Sequence, residues 1–390
     1  MIKKHAQFTL KLAIVGLMFF QAGTQFGFSQ EKESKEFTVS GNIKGIDLPY
    51  MFIDYTGENG DRVWDTLHLK KNKFSYIAKI SDTKTIAIWP FLARKRKEGD
   101  YRKQKRVEFL AKPGEHIVFK GEAATSFNAY PTGTALSNDL NKYNGLLKPL
   151  EKESAALSTK MYTLERGSQE FKSTYEEVQK VGKKMKEITM QFITDNPNSE
   201  VSAYLLVDLV GGKSIQDDEA TALFKALNID LKTSPFYVQV NTRLEGSKAT
   251  EPGNKVPSLV TTSTLNGEEF NLESLQGKYV LLDFWGTWCG PCVAEMPKVK
   301  EYKEKYKDQL VIVAVNSGDT KEQIEKFITP KGYNWMQLIS KKEGESDFVS
   351  KFNVNGFPTK FVIDPNGIIL HRFVGNAEES FDKLDELLKK

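Results

Sequence analysis

Three patterns of apolar and polar positions succeed one another along the chain. From about Glu36 to Glu122 short runs alternate, as in Phe37-Thr38-Val39, Tyr50-Met51-Phe52-Ile53 and Phe74-Ser75-Tyr76-Ile77, broken by Gly-Asn, Glu-Asn-Gly and Lys-Lys-Asn turns. Period-two alternation with such punctuation predicts a small antiparallel β domain. Between about Leu136 and Leu244 the spacing changes to three and four, and Phe171, Tyr175, Val178, Val181, Met185, Ile188 and Phe192 form one apolar helical stripe, expected to be core. Asn196-Pro197-Asn198-Ser199 ends that helix and caps the next, Gly211-Gly212 ends the second, and Ser234-Pro235 opens another bearing Phe236, Val240 and Leu244. Glu245 to Pro257, poor in apolar residues and carrying Gly246, Ser247, Pro252, Gly253 and Asn254, reads as a linker. In the last third, wholly apolar runs such as Val280-Leu281-Leu282 and Val311-Ile312-Val313-Ala314-Val315 alternate with amphipathic stretches, which predicts central parallel strands in βαβ units. Phe361-Val362-Ile363, the turn Asp364-Pro365-Asn366-Gly367 and Ile368 to Phe373 form a hairpin, and Phe381, Leu384, Leu387 and Leu388 line a closing helix.

The N-terminus breaks this scheme. A basic start at Lys3-Lys4, an apolar run from Leu12 to Phe20 and small residues at Gly27 and Ser29 have the order of a secretory signal peptide, with cleavage expected near Ser29-Gln30. The run is short for a membrane span, although an uncleaved anchor is the alternative. The expected organisation is therefore a signal peptide over 1–29, a β-rich domain over 30–125, a helical region over 126–245, a linker over 246–256 and an α/β domain over 257–390. A length of 390 residues suits two or three cores. With 39% apolar and 27% charged residues the chain has a globular composition. Its formal charge of +4 falls to +1 once Lys3, Lys4 and Lys11 are removed with the leader, so bulk charge points to no particular partner. Eight basic residues crowd Arg94 to Arg106, read as a solvated loop or a patch for an acidic surface.

Candidate chemistry concentrates at Trp288-Cys289-Gly290-Pro291-Cys292, which holds the only two cysteines of the chain. A disulfide spanning so short a loop adds little stability, so the pair is read as reactive. The motif follows a buried strand ending at Asp283-Phe284-Trp285 and opens a helix, which places Cys289 at the helix N-terminus, where backbone N–H groups and the dipole favour a thiolate. Residues at i and i+3 share a helix face. Cys289 is expected to point outward as nucleophile, with Cys292 one turn in, able to resolve a mixed disulfide.

On these residues the segment from about Pro257 to Lys390 resembles thioredoxin, and within that superfamily the exported TlpA/ResA-type thiol-disulfide oxidoreductases. The likeness extends to Asp283 six residues before the first cysteine, Pro297 five after the second, and Gly356-Phe357-Pro358-Thr359 before a strand. It implies a thioredoxin-like fold, a central sheet flanked by helices, with an additional helix and strand for which Thr320 to Ile339 is the candidate. It also implies a cis Pro358 facing the disulfide, no bound cofactor, a periplasmic or envelope location, disulfide-bearing exported proteins as partners and a membrane electron donor to recharge the dithiol. Glu295 and Met296-Pro297 resemble the exported branch, whereas Asp283 resembles cytosolic thioredoxin. Both acids are candidates for the proton, and Trp288, Phe357, Gly290 and Pro291 for the binding surface. The region before the linker resembles the N-terminal extension carried by many such proteins, a likeness that assigns no activity.

Other readings stay open for several of these residues. Asp283 is either a turn-capping acid or a buried carboxylate near a thiol, and Glu295 either an exposed helix acid or a proton carrier. Trp285 and Trp288 serve packing or docking. Cys-x-x-Cys as half of a zinc site lacks partners, since the segment offers His371 alone, and no nucleic-acid motif is present. An envelope binding protein using the β domain, with the thioredoxin fold as scaffold, and a disulfide isomerase or oxidase of the same fold are the rival functions.

Overall fold

The computed structural model describes residues 34–389 apart from 47, 59, 90–105, 123–129, 343 and 376. The signal peptide expected over 1–29 and most of the basic run after Arg94 therefore lie outside the described residues. Eight strands open the described chain: β1 (Lys35–Lys44), β2 (Tyr50–Thr56), β3 (Arg62–His68), β4 (Lys73–Ile80), β5 (Lys84–Trp89), β6 (Val107–Ala111), β7 (His116–Glu122) and β8 (Tyr130–Thr132). They form two four-stranded sheets, ordered β4-β1-β7-β8 and β3-β2-β5-β6. Alternation sends Phe37, Val39 and Ile43 of β1 and Met51, Ile53 and Tyr55 of β2 inward, and rings meet between the sheets, Phe109 on Phe119 at 5.1 Å and Phe37 on Tyr55 at 5.9 Å. Gly41 is the inward position of β1 without a side chain, because Phe74 fills that space. The small antiparallel β domain expected here is found, with one exception to the antiparallel pairing. β1 pairs in parallel with β7, a return over some seventy residues that carries no local sequence signal.

Five helices follow: α1 (Ala135–Thr163), α2 (Gln169–Asp195), α3 (Glu200–Gly211), α4 (Asp217–Ala226) and α5 (Pro235–Ala249). Ser199 caps α3 by accepting from the Val201 N–H. Leu136, Leu140, Phe192, Val201, Leu206 and Val240 share one apolar cluster with the sandwich, so strands and helices build a common core rather than two. The stripe expected along α2 is core only in part. Val181 and Phe192 are buried, but Tyr175 is exposed, because α1 buries nothing beyond Leu147 and leaves the first half of α2 poorly covered.

The expected linker over 246–256 is not free chain. Its first residues are the last turn of α5, and Gly246 lies against the backbone of Lys351, where a Cβ would stand 2.4 Å from the carbonyl oxygen. Gly253 and Val256 then donate to the carbonyls of Ile369 and Gly367, and Ile369 donates back to Asn254. The Pro and Gly residues make turns here, and the backbone between them is hydrogen-bonded rather than solvated.

The remaining elements are a two-stranded pair, β9 (Val260–Thr261) with β10 (Phe270–Asn271), then β11 (Tyr279–Trp285), α6 (Gly290–Lys305), β12 (Leu310–Ser317), α7 (Lys321–Ile328), β13 (Met336–Ser340), α8 (Phe348–Lys351), β14 (Thr359–Ile363), β15 (Ile369–Val374) and α9 (Ala377–Leu388). Five strands make the central sheet, β13-β12-β11-β14-β15, in which β11, β12 and β13 run parallel and β14 and β15 antiparallel to their neighbours. Each face carries its own apolar layer. Leu281, Trp285 and Val362 pack with Met296 and Val299 of α6 and Phe381 of α9, while Leu282, Phe284 and Phe361 pack with Phe348 and Phe352. Capped by Thr320, α7 with β13 is the additional helix and strand expected from Thr320 to Ile339.

Candidate functional site

Strand β11 is buried from Val280 to Trp285 and delivers the chain into the turn Gly286-Thr287-Trp288. The Asp319 carboxylate pins this turn, accepting from the Thr287 N–H at 2.7 Å and its hydroxyl at 2.5 Å. Trp288 donates its indole N–H to the Ser317 carbonyl at 2.8 Å and lies over Gly286, where a Cβ would stand 2.4 Å from Nε1. Cys289 comes next, as the N-cap of α6. Its Sγ accepts the Cys292 N–H at 3.2 Å, and the two cysteines are joined in a disulfide with their Cα atoms 5.3 Å apart. Gly290 and Pro291 form the first turn, where the N–H that proline lacks has no helical partner in any case. Cys289 does not point outward as expected. The two are 5% and 3% exposed, since their bond holds both sulfurs in the layer with Trp285 and Met296. What sets Cys289 apart is its place at the cap, where its own sulfur accepts the Cys292 N–H.

The two tryptophans divide their tasks. Trp285 is buried and donates to Gln337 Oε1 at 3.1 Å, whereas Trp288 is 57% exposed, its ring 5.1 Å from that of Phe357. The Phe357-Pro358 bond is cis, and because β14 starts opposite the end of β11, with Thr359 facing Phe284, the segment carrying Pro358 lies at the same sheet end as the dithiol turn.

Asp283 alternates with Leu281 and Trp285 and so faces the α6 side of the sheet. Directly across the ladder is Lys360, on the same side as Val362. Its side chain is 2% exposed, and its Nζ stands 3.0 Å from Asp283 Oδ1 and 2.5 Å from Glu295 Oε2. Glu295 follows Cys292 by one helical turn. One buried cation therefore ties the helix that carries both cysteines to the two central strands, and brings together both acids singled out in the sequence.

A family model described as Redoxin matches residues 251–388. The thiol-disulfide oxidoreductase ResA of Bacillus thuringiensis (strain Al Hakam) is 34% identical over 139 residues, which cover 35% of this chain and 77% of the relative. The ResA of Bacillus subtilis (strain 168) is 33% identical over 145 residues, 37% of this chain and 79% of the relative. The chain belongs to the TlpA/ResA-type branch of the thioredoxin superfamily. Among solved structures, the thioredoxin domain of a thiol-disulfide oxidoreductase from Bacteroides vulgatus is 25% identical, covering 35% of this chain and 98% of that one with a TM-score of 0.33.

In this TlpA/ResA-type thiol-disulfide oxidoreductase burial and neighbouring charge act together on Glu295 and Lys360. Burial raises the Glu295 carboxyl above its ordinary value, and Lys360 offsets this only in part. Burial alone pulls the Lys360 ammonium down, but Asp283 and Glu295 together outweigh it and leave the group above an ordinary lysine. With all three ionised the cluster carries one net negative charge close to the dithiol. Sequence reasoning missed Lys360 and Asp319. The signal for the first was a lone charge in the apolar run Thr359-Lys360-Phe361-Val362-Ile363, but Asp319 looks like any loop acid until β12 places it beside Thr287.

Proposed function

We propose that the protein is an exported reductase, which passes two electrons from the Cys289–Cys292 dithiol to disulfides of other exported proteins. The observation that carries this is Cys289 at the cap of α6, its sulfur accepting a backbone N–H and bonded to Cys292. A thiolate at that position is stabilised by the helix N-terminus, and the thiolate is the attacking species. Cys289 Sγ attacks one sulfur of a substrate disulfide; that S–S bond breaks, and the departing sulfur leaves as a thiolate that takes up a proton. Cys292 then gives its proton to the carboxylate pair braced by Lys360 and attacks Cys289 Sγ. The mixed disulfide breaks, the second substrate thiol leaves, and the enzyme is left with its Cys289–Cys292 disulfide. Glu295, raised by burial and one turn from Cys292, is the better placed of the two acceptors, with Asp283 as its partner across the lysine.

Trp288 and Phe357, at the rim of the site, supply the apolar contact for a substrate segment, with Gly290 and Pro291 offering a face free of large side chains. Pro358 leaves its neighbours' backbone available to an extended substrate strand. Export rests on the leader pattern of residues 1–29, and a compartment without a glutathione pool calls for a membrane dithiol donor that returns the electrons. The test is a Cys292→Ser variant produced in the native envelope. Mixed disulfides joined through Cys289 to exported proteins, identified by mass spectrometry, are the expected result. Absence of any adduct, with Cys289 free and unreacted, overturns the proposal.

A further inference from the structure

The helical region meets the loop that leads to Pro358 through α5. Arg243 of α5 is buried, its guanidinium packed against Gly211 at the end of α3, and its Nη1 donates to Asn355 Oδ1 at 3.1 Å and to the Val354 carbonyl at 3.4 Å. These acceptors belong to the loop between α8 and β14, whose far end is Phe357-Pro358. One turn further along α5, Gly246 sits on the Lys351 backbone and so fixes the near end of the same loop. Arg372 of β15, whose guanidinium lies over the Phe361 ring, also donates to the Asn353 carbonyl at 2.5 Å, and Asn353 itself has a φ of 45°, in the left-handed region. At the far end the Phe357 ring rests on Trp288, and the Gly375 N–H donates to the Pro358 carbonyl at 2.8 Å. The loop that presents the rim to substrate is thus held at its far end by the central sheet, and at its near end by Arg372 of that sheet and Arg243 of the helical region.

We propose that Arg243 is a positioning residue for thiol-disulfide exchange, holding the 353–358 loop so that Phe357 and Pro358 are preset for a substrate segment. The inference rests on the reading of Cys289 and Cys292 as the exchanging pair, and it gives the helical region a role as brace for the substrate loop. A loop fixed before binding has less freedom to lose when substrate docks. Releasing it weakens docking while leaving the sulfur chemistry in place. Loss of a charged hydrogen bond of this kind corresponds to a change on the order of tenfold.

The experiment is steady-state reduction of insulin by the full chain, with dithiothreitol as electron source. Arg243→Met is expected to raise KM for insulin about tenfold, with kcat and the Cys289–Cys292 reduction potential unchanged; Arg243→Lys restores part of the KM. Gly246→Ala, which pushes α5 off Lys351 without altering charge, should move KM in the same direction. If Arg243→Met fails to fold, Asn355→Asp keeps the Oδ acceptor while Asn355→Ala removes it together with the Asn355 Nδ2 donation to Asn353 Oδ1; Asn355→Ala is expected to raise KM about threefold, the smaller end of a hydrogen-bond loss. Wild-type KM in the folded Arg243 variant, or in Asn355→Ala where that variant does not fold, overturns the brace, as does a loss of kcat at constant KM. Failure of the underlying reading looks different: the wild-type chain would then reduce insulin no better than Cys289→Ser.

Discussion

Replacing Lys360 by Met is the sharpest perturbation the site offers. Contacts of 3.0 and 2.5 Å to one nitrogen cap the separation of the two carboxylate oxygens at about 5.5 Å. At that distance two unit negative charges repel by about 3 kcal/mol for an effective dielectric constant of about 20, equivalent to about two pKa units. Without the cation the two carboxylates repel each other unscreened, and the pair retains a proton to higher pH. An acid whose folded-state pKa lies above its unfolded value favours the folded state at low pH, and that advantage disappears as pH rises through the folded value. Urea denaturation of the oxidised Lys360→Met protein should therefore reveal a deficit of about 3–5 kcal/mol near pH 8, the usual cost of breaking a buried ion pair, narrowing by about 3 kcal/mol toward pH 5 as one carboxyl protonates. In the reduced enzyme the pH profile of the resolving step should move up by about two units. Wild-type stability at pH 8, or an equal deficit at both pH values, would refute the reasoning.

Glu295→Gln should flatten the pH dependence of resolution near neutrality, whereas Asp283→Asn should leave a profile of the same shape if Glu295 is the acceptor; stopped-flow release from a mixed disulfide separates the two. Gly286→Ala is expected to displace the Trp288 indole, because the new Cβ would lie 2.4 Å from Nε1, and the change should appear as altered Trp fluorescence with a raised KM for insulin. Gly41→Ala places a Cβ 2.5 Å from the Phe74 ring and should cost about 1–3 kcal/mol of stability by overpacking the sandwich, read by thermal denaturation, with no effect on exchange kinetics.

The thioredoxin-like region was legible because its strands are wholly apolar and its cysteines sit at a strand-to-helix junction, both local features. Elsewhere the sequence carried period but not partner. Alternation located the strands of the sandwich, yet nothing near β1 announces that β7 will return beside it in parallel. The stripe on α2 has the right spacing throughout, but its burial is decided by how far α1 extends over the core. Pro252, Gly253 and Asn254 signal turns, and turn chemistry says nothing about whether the backbone between them pairs with β15, as it does. At the site, Asp283 and Glu295 were visible as acids near cysteines. The lysine that joins them was not, because only the β11–β14 register brings it opposite Asp283.

The direction in which the Cys289–Cys292 pair moves electrons separates a reductase from an oxidase or isomerase. The Gly-Pro dipeptide between the cysteines is that of thioredoxin, whose potential is about −270 mV against about −120 mV for the oxidant DsbA. Equilibrating the full chain in graded dithiothreitol and glutathione buffers, with thiols counted by alkylation and mass, measures this directly. A value close to that of thioredoxin is the expected result for a reductase, and one above about −180 mV, the level of protein disulfide isomerase, would contradict it.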